Sequence, residues 1–320
     1  AFFSFVSFFP QLVAGPIERS KNLLPQFLAS RVFNFQKASD GMRQILWGLF
    51  KKMVIADNCA VYVNEIFENY QHQSGSTLLL GAFFFTFQIY GDFSGYSDIA
   101  IGCGKLLGFN LTRNFNSPYL SRNLAEFWQR WHISLSSWFK EYVYIPLGGN
   151  RHGRWYWLRN IYITFIISGL WHGANWTFIL WGTLHACFYS LSHFCTTAYP
   201  NNSGPLFTSI KNMLQISATF LIILFTWIFF RAKNIEQAFQ YISGIYSPTF
   251  LSWPHYLSYK LLLLIAGLMI TEWFQRNKPH ALHMNTNSIP KFVRWPIYWV
   301  LIASLFFWGA EQQEFIYFQF

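Results

Sequence analysis

NIYITFIISGLWHGANWTFILWGTLHACFYSLSHF, residues 160–194, runs for thirty-five positions without a Lys, Arg, Asp or Glu. At its middle stand Trp171-His172-Gly173-Ala174-Asn175-Trp176. An ionisable residue at membrane depth marks a functional site by default. The plain alternative is a neutral histidine hydrogen-bonded between helices. The stretch reads as two apolar helices, 158–171 and 174–194, meeting at the His172 break, or as one long bent helix.

The whole chain shares this character. Of its 320 residues 53% are hydrophobic, 22% aromatic and 11% charged, against about 25% charged in a soluble domain. An integral membrane protein follows, and one polytopic unit over residues 1–320, because all the apolar runs must share a bilayer. The net charge of +10 is scattered between apolar runs. It fits loop orientation, anionic lipid or a polyanionic ligand such as a nucleotide cofactor rather than nucleic acid, and the aromatics lie inside apolar spans. Cys59, Cys103, Cys187 and Cys195 form no CxxC or zinc-like spacing and read as free buried thiols. The first residue is Ala1, already inside an apolar run, so the chain reads as the C-terminal portion of a longer protein, with N-terminal helices missing.

Residues 1–15 look like the end of a span entering a turn at Gly15-Pro16. Residues 38–56 suit a helix in the interface, capped by Asp40, with Lys51 and Lys52 near one edge, or equally a short span with snorkelling lysines. Residues 76–91 make most of a span. The carboxylates Asp92 and Asp98 and the small residues after it predict a broken or polar-lined helix. Residues 120–145 give the clearest amphipathic helix, with Leu124, Phe127, Trp128, Trp131 and Leu135 on one side and His132 at the boundary. Pro146-Leu147-Gly148-Gly149-Asn150-Arg151 ends it as a turn. Residues 213–230, 256–274 and 295–309 are further spans, and 234–246 is amphipathic.

No GxSxG, HExxH or glycine-rich phosphate loop occurs, and no carboxylate is spaced with a histidine for a metal, so none is expected. A lone buried histidine fits general-base work. His172 would take a proton from a hydroxyl attacking an activated acyl carbonyl. Its ordinary pKa near neutrality lets it accept and return that proton. Ser168 lies one turn before it and Asn175 about one turn after; Asn175 would orient the imidazole or donate to an oxyanion. Asp92 and Asp98 are supporting candidates, or caps and partners of basic residues. Arg130, Arg151 and Arg154 are candidate contacts for an anion, although Arg151 and Arg154 also suit a solvated or lipid-facing loop and Arg130 could equally pair with Glu126.

Several segments carry a family resemblance. FPQLVAGPIER (9–19), QIYGDFSGYSD (88–98), FWQRWHISLSSWF (127–139), YIPLGGNR (144–151) and GLWHGANW (169–176) resemble, in order, segments of the membrane-bound O-acyltransferase family. The final FIYFQF (315–320) resembles its usual C-terminus. YIPLGGNR and LVAGPIER are similar to the bacterial alginate and peptidoglycan O-acetyltransferase branch. The resemblance implies an all-α protein: a ring of tilted transmembrane helices and interfacial helices around a central funnel. It implies His172 as the catalytic histidine and His132 as the second polar one. It implies an acetyl-CoA or carrier-bound thioester donor rather than a bound cofactor, and transfer across a bacterial inner membrane. An extracytoplasmic SGNH-type partner and a polysaccharide acceptor are implied too. D-alanyl transfer to a cell-wall polymer is the alternative acyl chemistry. Outside that class stand a transporter lined by Asp92, Asp98, His132 and His172, for which no internal repeat is found, and a non-catalytic scaffold.

Overall fold

The structure, a computed structural model, describes residues 2–197, 210–284 and 289–316, without the side chains of 195–197. Ala1 and residues 317–320 of the closing motif lie outside the described residues, as does the Cys195 thiol. Cys59 is buried, and Cys103 and Cys187 are half-buried free thiols. Among the described residues every regular element is helical. The chain divides into two compact units, one of Ala1–Val61, Phe87–Asn116 and Ser258–Gln319, the other of Tyr62–Thr86 and Ser117–Leu257.

The chain opens with short helices α1 (Phe2–Val6) and α2 (Ser20–Leu28), then α3 (Phe35–Leu49), a π-helical turn (Phe50–Ala56) and α4 (Asp57–Glu68). Asn34, not Asp40, caps α3, accepting the Lys37 N–H at 2.9 Å. An Asn side chain just ahead of the helix satisfies an orphan donor there, and Asp40 falls inside the helix instead. Next comes α5 (Gly75–Leu106), a single continuous helix of 32 residues; of the broken or polar-lined helix expected there, the break is absent and the polar lining is present. The small residues serve close packing. A Cβ on Gly48 would lie 2.6 Å from the Gly95 carbonyl oxygen, and one on Gly41 would lie 2.7 Å from that of Gly102. Backbones can approach this closely only where side chains are absent.

The carboxylates on α5 meet lysines. Lys51 Nζ lies 2.7 Å from Asp98 and donates to Ser94 Oγ at 2.8 Å. Lys52 Nζ lies 2.8 Å from both Asp92 and Asp57. Lys51, expected at an edge, is buried; with a carboxylate and a hydroxyl around it, its charge is compensated in place. Asp92 Oδ2 also accepts the Ile316 N–H at 2.7 Å.

The second unit contains α6 (Leu124–Arg130), α7 (Ile133–Phe139), α8 (Arg154–His172), α9 (Trp176–Thr197), α10 (Ile210–Arg231) and α11 (Ile235–Ile245). Asn123 caps α6 and Asn234 caps α11, each accepting a backbone N–H at 2.8 Å. Helices α8 and α9 pair on glycines: a Cβ on Gly169 would come within 2.3 Å of the Phe178 oxygen, and one on Gly182 within 2.3 Å of the Phe165 oxygen. Asn160 ties the 146–151 turn to α8, donating to the Gly149 and Leu147 oxygens at 2.8 and 3.2 Å. The turn's Gly148 and Gly149 have φ of 101° and 59°, a region glycine enters without a Cβ clash.

Helices α12 (Tyr259–Gln275) and α13 (Lys291–Trp308) follow in the first unit. Glu272 on α12 is buried and accepts the Tyr90 hydroxyl. Among the described residues α10 is the one helix long and apolar enough to cross a bilayer by those criteria, with a mean hydropathy of 2.1. α12, at 17 residues, is shorter. Leu221 on α10, Leu263 on α12 and Phe306 on α13 are 60%, 73% and 83% exposed, an outward apolar surface suited to hydrocarbon.

Candidate active site

The second unit gathers three histidines. His172 is the last residue of α8, half-buried, and Gly173-Ala174-Asn175 lead from it into α9. The break expected in the uncharged run is therefore present. Rings surround the imidazole: Trp171 and Phe230 at 5.0 Å between centroids, Trp181 at 5.3 Å and Phe178 at 6.3 Å. A Cβ at Gly173 would lie 2.6 Å from the Phe178 ring, so only glycine leaves that ring in place.

His132 is 3% exposed and lies within electrostatic reach of His172. The single amphipathic helix expected over 120–145 does not form. A 3-10 turn (Pro118–Leu120), α6, α7 and a π-helical turn (Lys140–Tyr144) take its place, and the chain breaks at Trp131-His132. Trp131 is extended, and His132 has φ 44°, ψ 54° at the start of α7. A non-glycine residue in the left-handed region is uncommon, and such strain collects at functional sites. Trp131 packs on Trp227 at 5.1 Å, which fixes the kink against α10. The apolar spacing was real; it simply bridges two short helices.

His185, on α9, was not singled out in the sequence. It is fully buried, within electrostatic reach of His172, and neither ring nitrogen has a hydrogen-bond partner among the described residues. Trp181 at 4.7 Å, Trp128 at 5.1 Å and Phe165 at 6.2 Å enclose it. Trp181 thus touches both His172 and His185. The signal was present: His185 lies in the same charge-free run that drew attention to His172.

Asn175 is engaged at both ends, its Nδ2 donating to the Lys233 oxygen at 2.9 Å and its Oδ1 accepting the Thr177 N–H at 3.1 Å. It pins the linker after His172. Ser168 is buried one turn before His172 and lines a cavity of about 390 Å³ with Trp128, Phe165, Ile161 and Tyr189. Arg130 and Arg122 pair with Glu126 at 2.7 and 3.0 Å. Arg154 lies over the Phe194 ring at 4.0 Å, and Arg151 is exposed in the turn. Asp92 and Asp98 belong to the first unit, paired with Lys52 and Lys51.

Among the described residues one set of side chains has metal-ligand spacing: Asp40, His280 and His283, in the first unit. Asp40 Oδ2 already lies 2.5 Å from Lys105 Nζ, and a cation in that place opposes a second one.

The family model for membrane-bound O-acyltransferases matches residues 1–232. A probable alginate O-acetylase of Pseudomonas aeruginosa is 41% identical over 246 residues, 77% of this chain and 46% of that protein. A peptidoglycan O-acetyltransferase of Helicobacter pylori is 43% identical over 243 residues, 75% of this chain and 45% of that protein. A teichoic acid D-alanyltransferase of Bacillus subtilis is 28% identical over 198 residues, 57% of this chain and 48% of that protein. The chain spans about half the length of these relatives.

Proposed function

Because the chain belongs to the membrane-bound O-acyltransferase family, we propose that it is the histidine-bearing part of a membrane O-acetyltransferase. In this reading a thioester donor, acetyl-CoA or an acyl carrier, delivers acetyl from the cytoplasmic side of a bacterial inner membrane. The acetyl crosses to an extracytoplasmic polysaccharide, through an SGNH-type partner. The chain contributes tilted helices to a multi-pass membrane domain. The observation that carries the reading is the cage around His172: an imidazole at a helix break, between aromatic walls, beside His132 and His185. Higher identity to acetyl-transferring relatives than to the D-alanyl one favours acetyl.

The chemistry asks little of the protein beyond placement and a proton acceptor. The acceptor oxygen attacks the thioester carbonyl, His172 takes the hydroxyl proton, the C–S bond breaks, and the proton passes to the departing thiolate. His172 sits at the carbonyl end of α8, where a positive charge is favoured by about 0.3–1 kcal/mol. His132 and Asn175 are positioning residues, one at the kink facing His172, the other holding the linker. The aromatic walls keep water from competing for the acyl group.

The test is donor turnover with radiolabelled acetyl-CoA in nanodiscs, with and without the partner. His172→Ala is expected to lower turnover about 10²–10⁴-fold while the variant keeps its thermal midpoint. Full turnover in His172→Ala would make His172 structural. No turnover by the wild type with either donor class would leave the scaffold reading.

A further inference from the structure

The first unit holds a second concave site, independent of the histidines. A groove of about 1370 Å³ runs between α3 and α13. Five Lys or Arg side chains line it (Lys37, Arg43, Lys278, Lys291 and Arg294) against one carboxylate, Asp40. That carboxylate is shared by Lys105 at 2.5 Å, His280 at 3.0 Å, His283 at 3.1 Å and one terminal nitrogen of Arg43 at 3.4 Å. The groove therefore carries uncompensated positive charge. The Nε–H groups of Arg43 and Arg294 are buried there without an acceptor among the described residues. A buried guanidinium donor left unpaired costs free energy that an anion would recover.

Charge occupies one end only. On α3, Lys37, Asp40 and Arg43 precede Ile45, Leu46 and Leu49; on α13, Lys291 and Arg294 precede Tyr298 and Ile302. From Lys37 to Leu49 the helix rises about 18 Å, close to the roughly 15 Å half-thickness of a bilayer's hydrocarbon. The rim is apolar and open: Phe35 is 75%, Met42 56% and Trp295 55% exposed. A free phosphate or a nucleotide has no use for such an aliphatic extension, whereas an amphiphile does. Basic pockets between membrane helices hold anionic headgroups by this arrangement.

We propose that this groove binds an anionic phospholipid, with its phosphate on Arg43, Lys291 and Arg294 and an acyl chain along Leu46, Leu49 and Ile302. The lipid completes the α3–α13 interface by supplying the acceptors the two arginines lack.

The test is native mass spectrometry of the detergent-purified full-length protein, titrated with dioleoyl phosphatidylglycerol or dioleoyl phosphatidylcholine. Phosphatidylglycerol should be retained preferentially, and Lys291→Gln/Arg294→Gln should weaken its retention about tenfold. Lys260→Gln, on α12 and outside the groove, should leave it unchanged. Should the arginine variant fail to fold, Lys278→Gln/Lys291→Gln replaces two exposed side chains and must show the same direction. Equal retention of both lipids, or retention unmoved by the groove variants, overturns the proposal. Displacement of the lipid by coenzyme A or by inorganic phosphate also overturns it and makes the groove a nucleotide or anion site.

Discussion

His185 is a ring with two polar nitrogens in a box of indoles and phenyls, and among the described residues nothing pairs with either nitrogen. Stability alone would not select it. Replacing a buried, unpaired polar group by an apolar one of similar shape is neutral or stabilising. His185→Phe is therefore expected to keep or raise the thermal midpoint in detergent while lowering acetyl transfer about tenfold or more, the trade seen where a site is held against stability. Differential scanning fluorimetry with the turnover assay reads both. His280 poses a different question at the same scale, in the loop between α12 and α13. Burial pushes its imidazole below its ordinary value, despite Asp40 at 3.0 Å, which pulls the other way. The folded state then binds fewer protons than the unfolded one, so stability falls as pH drops below about 6.5, the unfolded value. Melting curves at pH 7.5 and 5.5 should show a smaller acid-side loss in His280→Gln than in the wild type.

At the scale of elements, glycines decide which helices touch. Gly48→Ala places a methyl group 2.6 Å from a backbone oxygen that has no room to yield; overpacking of this kind costs about 1–3 kcal/mol. Gly267→Ala on α12 meets nothing within 4 Å and should be neutral or slightly stabilising, since alanine is the better helix former. Thermal midpoints of the pair in one detergent give the comparison. Close packing on glycines also explains why, of the broken or polar-lined helix expected, only the polar lining is found. In sequence, Asp92-Phe93-Ser94-Gly95-Tyr96-Ser97-Asp98 has the polarity and small residues of a broken helix. Whether a small residue breaks a helix or admits a neighbour depends on the partner, and Gly41 and Gly48 lie about fifty residues away. The kink at His132 was hidden for a related reason. Helical spacing persists across two short helices, and no local motif announces a left-handed backbone at a histidine. What was legible is the break after His172, written in Gly173 and in the lack of charge around it.

For the whole molecule, apolar side chains fill the interior and also cover much of the surface, unlike a water-soluble protein. In ion pairs such as Lys51–Asp98 one partner, Lys51, is buried, while leucines and phenylalanines of α10, α12 and α13 face outward. The composition already implied this, because 11% charged residues cannot clothe a surface of this size in water. Composition could not say which face of each helix is outward, since the apolar helices are nearly uniform around their circumference. A charge on that surface tests the placement. Leu221→Arg, at a position 60% exposed on α10, should cost about 2.5–3.5 kcal/mol of insertion. Reduced recovery in carbonate-washed membranes, with Leu221→Phe as the tolerated control, is the expected result.

The Asp92 contact also sets a schedule for biosynthesis. One carboxylate oxygen meets Lys52, but the other waits for an amide 224 residues downstream. At about 5–20 residues per second, a ribosome needs roughly ten to forty seconds to deliver it. Through that interval a half-satisfied carboxylate must be shielded by water or by the insertion machinery. A chain released before residue 316 would leave that oxygen exposed as a mark of its incompleteness.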